Sequence, residues 1–171
     1  MNYVLIGLPG SGKSTIGVML AKYLGLRFVD TDLVIQEQAG QRLGELLEAQ
    51  GPEGFLLLEN RILAELRCED TVIATGGSAV YGTQAMQNFK RTGRCIYLRI
   101  SLEEMRRRTA SGFRRRGVVL REGQTLEMLY AERCALYERY ADLTVDENGL
   151  SQEETLQKLL RSIEFSCSAG G

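Results

Sequence analysis

Short apolar runs that end on glycine or aspartate alternate along this chain with longer stretches whose apolar residues return every three or four positions. Val4-Leu5-Ile6, closed by Gly7, reads as a buried strand, and from Lys13 the residues Ile16, Met19, Leu20 and Leu24 mark one face of a helix that Gly25 stops. Phe28-Val29, closing on Asp30, is a second short strand. Leu33 to Ala39 and Leu43 to Ala49 are helical pieces punctuated by Gly40 and Gly51, and a further helix covers Glu53 to Leu66. Thr71 to Ala74 and Cys95 to Ile100 have the length and β-branched content of two more buried strands. A helical pattern follows each, and Ser101 with Glu104 marks a capping box at the start of the second. The Gly- and Arg-rich residues 110–123 break the pattern and are expected to form a mobile loop. A long helix through about Tyr140, a strand Leu143-Thr144-Val145 and a last helix from Ser151, a good N-cap, to about Ile163 complete the series. Residues 166–171 are expected to fray.

Strands that alternate with helices imply an α/β fold: a parallel sheet of about five strands with helices on both faces, since a parallel crossover needs a long connection. The length of 171 residues fits a single domain over residues 1–165, large enough to bury a core without staples. An apolar fraction of 44% and a charged fraction of 25% are those of an ordinary globular chain.

Charge and composition then remove whole classes of chemistry. Lys plus Arg number 21 against 22 Asp plus Glu, a formal charge of −1 that lacks the basic footprint of a nucleic-acid binder. The chain contains no His, so His-ligated metals, a His general base and every His-containing triad are excluded. Cys68, Cys95, Cys134 and Cys167 are irregularly spaced without a C-x-x-C pair, which fits a reducing cytoplasm rather than a zinc or dithiol site. No leader-like segment opens the sequence and no apolar run approaches membrane-spanning length, so a cytoplasmic protein with no membrane partner is expected.

The sharpest signal is Gly7-Leu8-Pro9-Gly10-Ser11-Gly12-Lys13-Ser14, which satisfies G-x-x-x-x-G-K-[ST] between a predicted strand and a predicted helix. The glycines let backbone N–H groups curl toward phosphate oxygens, and the helix N-terminus adds partial positive charge. Gly10, Ser11, Gly12, Lys13, Ser14 and Thr15 are therefore candidates for binding ATP. Lys13 would reach the β and γ phosphates, and the Ser14 hydroxyl would take one position on Mg²⁺. No N-K-x-D motif occurs, and the strand at Thr71 to Ala74 ends in Thr75-Gly76-Gly77 rather than an acid, so GTPases and motor ATPases recede. The acids stand earlier, as Asp30-Thr31-Asp32 at the end of the second strand, where they can serve Mg²⁺ and an acceptor hydroxyl or cap the following helix.

Here the chain resembles the shikimate kinase family over essentially its whole length. The matching pieces, in order, are the P-loop, Asp30-Thr31-Asp32, Phe55 with Glu59, Gly76-Gly77-Ser78-Ala79, an Arg-rich lid and Arg133-Cys134-Ala135-Leu136-Tyr137. The resemblance implies a three-layer P-loop kinase fold and ATP- and Mg²⁺-dependent phosphorylation of shikimate, a step of aromatic amino acid biosynthesis. It also implies that Asp30 assists Mg²⁺, that Asp32 binds and helps deprotonate the acceptor, that Gly76 and Gly77 contact it by backbone, and that Arg133 holds its carboxylate. Arg108 would lie against adenine, and Arg116 of the lid would close over the γ-phosphate. A bare run of arginines can also be a solvated face.

Three positions depart from the family pattern. The Arg of its F-R-x-x-E segment, which grips the acceptor carboxylate, is Leu56 here, and Arg61 projects too far around the helix to replace it. The third glycine of its triple-Gly motif is Ser78, and the Pro of R-x-P-L-Y is Ala135. Glu59 loses its expected Arg neighbour, leaving it either solvated or free to bind a hydroxyl or ammonium group of the acceptor. The expected function is that of a monomeric kinase for a small hydroxylated metabolite, shikimate first and another polyol, hydroxy acid or amino alcohol second. A non-catalytic nucleotide-binding module and a nucleoside or nucleotide kinase are the other readings; the second suffers from having only Phe55 as an aromatic in the acceptor segment 53–60.

Overall fold

The computed structural model describes residues 1–109 and 121–168. Five strands, β1 (Asn2–Ile6), β2 (Arg27–Asp30), β3 (Thr71–Ala74), β4 (Gly93–Arg99) and β5 (Leu143–Asp146), form one sheet in the order β2-β3-β1-β4-β5, with every pairing parallel. In β1, Val4 pairs with Ile73 on one side and Cys95 on the other. Val4, Leu5 and Ile6 are fully buried, because a central strand covered on both faces has no polar side to alternate with. The amide of Asn2 pins the lower edge, donating to the Cys68 carbonyl (2.7 Å) while its oxygen accepts from the Thr71 N–H (3.1 Å).

Among the described residues the helices are α1 (Lys13–Leu24), α2 (Thr31–Ala39), α3 (Leu43–Glu65), α4 (Thr83–Thr92), α5 (Leu102–Thr109), α6 (Leu126–Tyr140) and α7 (Gln152–Ser168). Ile16 and Leu20 of α1 pack with Leu159 and Ile163 of α7 on one face of the sheet. Ile62 and Leu63 of α3, Met86 and Phe89 of α4, and Leu129 and Tyr137 of α6 fill the other. The result is the three-layer P-loop kinase architecture expected from the alternation of elements.

Differences from the sequence expectation have local causes. The α2 helix starts at Thr31 rather than Leu33, because Asp30 is its N-cap and accepts from the Asp32 N–H (3.0 Å); the polar first turn carries no apolar period. The pieces expected on either side of Gly51 join as α3, with Gly51 at φ 68°, ψ 175° making a kink and Pro52 opening the second half. At α5 only half of the expected capping box forms: Ser101 Oγ accepts from the Glu104 N–H (3.1 Å), but the Glu104 carboxylate turns to Arg107 and Arg108. Both halves form at α7, between Ser151 and Glu154, and that helix runs past Ile163 to Ser168. Residues 110–120 of the expected lid and 169–171 of the expected tail lie outside the described residues.

Candidate active site

The sheet order reverses at β1, and the crevice beyond the carboxyl ends of the strands at such a point is where an α/β fold presents its ligands. A cleft of about 1300 Å³ opens there, lined on one flank by Gly10, Lys13, Ser14 and Arg108 and on the other by Asp32, Gly76 and Arg133.

The P-loop is built by the turn from β1 into α1. Gly7, Gly10 and Gly12 adopt positive φ (151°, 84° and 75°), conformations an L side chain resists, and these let the backbone wrap around a hollow. Lys13 is folded into that hollow: its Nζ donates to the carbonyls of Gly7 and Leu8 (2.8 Å each) and to Ser11 Oγ (3.3 Å). Burial lowers its pKa to about 8, against the opposing charges of Asp32 and Glu147. Ser14 Oγ donates to Asp30 Oδ2 (2.6 Å), so hydroxyl and carboxylate meet at the mouth of the loop, beside Thr15. Asp30 thus serves both as cap and as partner of Ser14. This pair supplies hard oxygen donors that fit Mg²⁺, which binds through one or two such groups and keeps several waters.

The opposite flank, where the sequence reading expects the acceptor, comes from α2, α3 and the segment after β3. Thr31 Oγ1 accepts from the Gly76 N–H (3.1 Å), tying that segment to α2. Gly76 is enclosed on two sides: a Cβ there would stand 2.7 Å from Asp32 Oδ1 and 3.0 Å from Glu59 Oε1, so two carboxyl oxygens converge on it. Arg133, 1% exposed, reaches from α6 with its guanidinium over the Tyr81 ring (5.4 Å) and Nη1 against Gly77. The Tyr137 hydroxyl fixes the same peptide by donating to the Gly77 carbonyl (2.6 Å).

Glu59 is neither solvated nor without a partner: it is 2% exposed, and Ser78 Oγ donates to its Oε2 at 2.6 Å. The serine that replaces the family's third glycine therefore occupies the acid that lost its Arg neighbour. Glu59 Oε1, on the Gly76 side, has no hydrogen-bond partner among the described residues. Leu56 packs half-buried against the core, and Arg61 is exposed beside Gln84 and Arg91 in a different groove, so it is no substitute. Two site features carried no sequence motif: Arg42, exposed on the rim of the cleft, and Glu147, buried beneath it on the turn after β5. Arg116 lies outside the described residues.

Three carboxyls withdrawn from solvent stand in or beside this cleft: Asp32 and Glu147 line it, and Glu59 lies behind Gly76. Burial, then the charge of Asp30, raises Asp32 to about 6 against the pull of Lys13; burial raises Glu59 to about 7 against the Ser78 hydrogen bond, and Glu147 to about 7 against Arg108 and Lys13. Folding therefore favours their protonated forms. The stability they lend is fully present below the ordinary carboxylate range and is lost as pH rises through about 6 to 7. The melting temperature is expected to fall by at least about 3 °C between pH 5.5 and 8, and Glu59→Gln to reduce that fall; thermal scans in which Tm stays flat or climbs over this range would contradict the assignment.

Comparison with known proteins shows the family of the chain. A family model described as shikimate kinase matches residues 9–164. A shikimate kinase of Francisella tularensis subsp. novicida is 35% identical over 161 residues, 92% of each chain. The structure of shikimate kinase from Acinetobacter baumannii in complex with shikimate superposes with a TM-score of 0.84 at 29% identity, covering 96% of this chain and 93% of that one. That of the Aquifex aeolicus enzyme gives 0.83 at 29%, covering 99% and 100%. Among the described residues no helix is long and apolar enough to cross a membrane. With fold and sequence in agreement, this chain belongs to the shikimate kinase family, phosphotransferases that act on a hydroxyl acceptor.

Proposed function

We propose that this protein transfers the γ-phosphate of ATP, with Mg²⁺, to a hydroxyl of shikimate. The observation that carries the reading is the continuity of one cleft, which runs from Lys13 and Ser14 at the P-loop to Asp32, Gly76 and Arg133. Gly10, Ser11, Gly12 and Thr15 surround the phosphates, and Lys13 exchanges its loop carbonyls for phosphate oxygens. Ser14 and Asp30 hold Mg²⁺, which when bound neutralises charge on the phosphates. Asp32 takes the proton of the attacking hydroxyl, Gly76 and Gly77 fix the acceptor by backbone, and Arg133 pairs with its carboxylate. Arg108 borders the nucleoside, and Arg116 completes the charge neutralisation from the lid. Alignment and charge stabilisation supply most of the acceleration, since phosphoryl transfer needs little covalent help. A monomeric cytoplasmic protein that binds no nucleic acid remains part of the proposal, supported by the near-neutral charge and the cysteine pattern.

A second reading is favoured by the charge balance of the acceptor flank. Asp32 and Glu59 converge on Gly76, Leu56 brings no cation, and Arg133 is the buried one nearby. Such a pocket also suits an acceptor richer in hydroxyl or ammonium donors than in carboxylate, a polyol or an amino alcohol.

The test is ADP release with Mg²⁺ and ATP against a panel of small hydroxylated metabolites that includes shikimate. Release with shikimate supports the first reading, release with another compound only supports the second, and nucleotide binding with no acceptor-dependent release leaves a non-catalytic module. With the active acceptor, kcat/KM is expected to rise with pH through about 6 as Asp32 ionises and to fall above about 8 as Lys13 loses its proton. A profile with no acid limb down to about pH 5 would remove Asp32 as the proton acceptor.

A further inference from the structure

Glu147 is the buried acid that the proposed chemistry does not use. Its backbone is fixed on both sides, the N–H donating to the Arg99 carbonyl at the end of β4 (2.9 Å) and the carbonyl accepting from the Leu150 N–H (3.0 Å). The side chain is 2% exposed and lines the nucleotide flank with Leu150, Ser151 and Thr155. Its Oε2 stands 3.6 Å from Arg108 Nη1, an ion pair too long for a hydrogen bond, and no hydrogen-bond partner meets that oxygen among the described residues. Arg108 is held by two further groups: its Nε pairs with Glu104 one turn back on α5, and its Nη1 donates to the Gly10 carbonyl of the P-loop (3.2 Å). One guanidinium thus joins α5, the P-loop and the turn after β5, at the end of the cleft away from Asp32.

Glu104 keeps some contact with solvent (side chain 16% exposed) and is already shared with Arg107, whereas Glu147 faces Arg108 from the protein interior, where a charge acts at greater strength. A buried carboxylate is expensive unless it is matched by a cation; Arg108 is its ion-pair partner, and Lys13 is the second cation whose charge reaches it. The arrangement gives a flat, cationic group a fixed orientation along the cleft wall, and a guanidinium plane so held stacks on an aromatic face.

We infer that Glu147 is a positioning residue for the nucleoside: from beneath the cleft it holds the Arg108 guanidinium so that its plane is presented to the base of the bound nucleotide. The inference rests on the proposed ATP-binding role of this cleft. It predicts an effect confined to ligands that have a base, passing through Arg108, and independent of the acceptor.

The experiment is equilibrium binding of ATP and of inorganic tripolyphosphate to the intact protein, with Glu147→Gln, Arg108→Met and the double variant. Glutamine keeps the shape and removes the charge, and thermal scans establish that each variant is folded. Glu147→Gln is expected to weaken ATP binding by about five- to tenfold while tripolyphosphate binding changes less than about twofold, and to add nothing once Arg108 is Met. An equal loss for both ligands, a loss that persists undiminished in the Arg108→Met background, or no loss in a folded variant would each overturn the inference. If the unmodified protein binds neither ligand, it is the nucleotide reading of the cleft that fails, a result distinct from the other three.

Discussion

Replacing Lys13 with Ala lowers kcat/KM at least about a thousandfold, the size of effect expected when a preorganised charge at a transferring phosphoryl group is removed. Lys13 is the cation built into the P-loop, and in this structure three acceptors of that loop hold it: the carbonyls of Gly7 and Leu8 and the hydroxyl of Ser11. Lys13 itself lines the open cleft, so water is expected to enter the space its side chain vacates and the fold to persist. Steady-state kinetics with a far-UV spectrum of the same preparation separate the two effects, and turnover within about tenfold of the unmodified protein, in a folded variant, would rule out the phosphate-binding role. Lys13→Met, which keeps most of the buried stem, should behave alike.

Leu56→Arg has the second largest expected effect, and in the opposite direction. The position lies three residues before Glu59 on the second half of α3, a spacing that places both side chains on one helix face. An introduced guanidinium would meet the half-satisfied Glu59 carboxyl and bring a second cation to the flank now served by Arg133. A charge-assisted contact contributes about 1.5–3 kcal/mol, so the KM for shikimate is expected to fall by about 10- to 150-fold, with kcat little changed. Leu56 packs half-buried on the core, and the variant loses some of that packing, which a melting curve measures separately. Combining it with Ser78→Gly frees Glu59 Oε2 to pair with the new arginine and should deepen the gain. A folded Leu56→Arg protein with an unaltered KM for shikimate would mean that the acceptor carboxylate does not lie on this side of the cleft.

The P-loop was readable because its chemistry is local: a strand, a glycine-rich turn and a helix start lie within fifteen or so positions, and each leaves its own mark on the sequence. The α1 limits, Lys13 to Leu24, and the β3 limits, Thr71 to Ala74, follow directly from an apolar period closed by glycine and from a short β-branched run. The start of α2 was not readable from periodicity, since Thr31 and Asp32 face the cleft and its walls rather than the core. Long-range pairings left still less trace. Ser78 and Glu59 lie 19 residues apart and meet only once α3 packs beside the segment after β3, so the acid read as unpaired is in fact bonded. Glu147 carries no motif at all. Its burial follows from the turn that β5 makes beside β4, a property of the sheet and not of the residues next to it.

The placement of β1 between β3 and β4 has a further meaning for how this enzyme can diverge. Helices α2 and α3 and the segment after β3 carry Asp32, Glu59, Gly76 and Ser78, while β4 and β5 lead to Arg108 and Glu147 on the far flank. Apart from the P-loop on β1 itself, Asp30, which reaches from β2 to Ser14, and Arg133, which α6 brings across to Gly77, the groups proposed to choose the acceptor and those proposed to hold the nucleotide hang from opposite sides of one strand. Exchanges such as Leu56 and Ser78 fall on one flank and leave Arg108 and Glu147 on the other untouched. A lineage carrying this sheet can revise what it phosphorylates while inheriting, unchanged, the means of phosphorylating it.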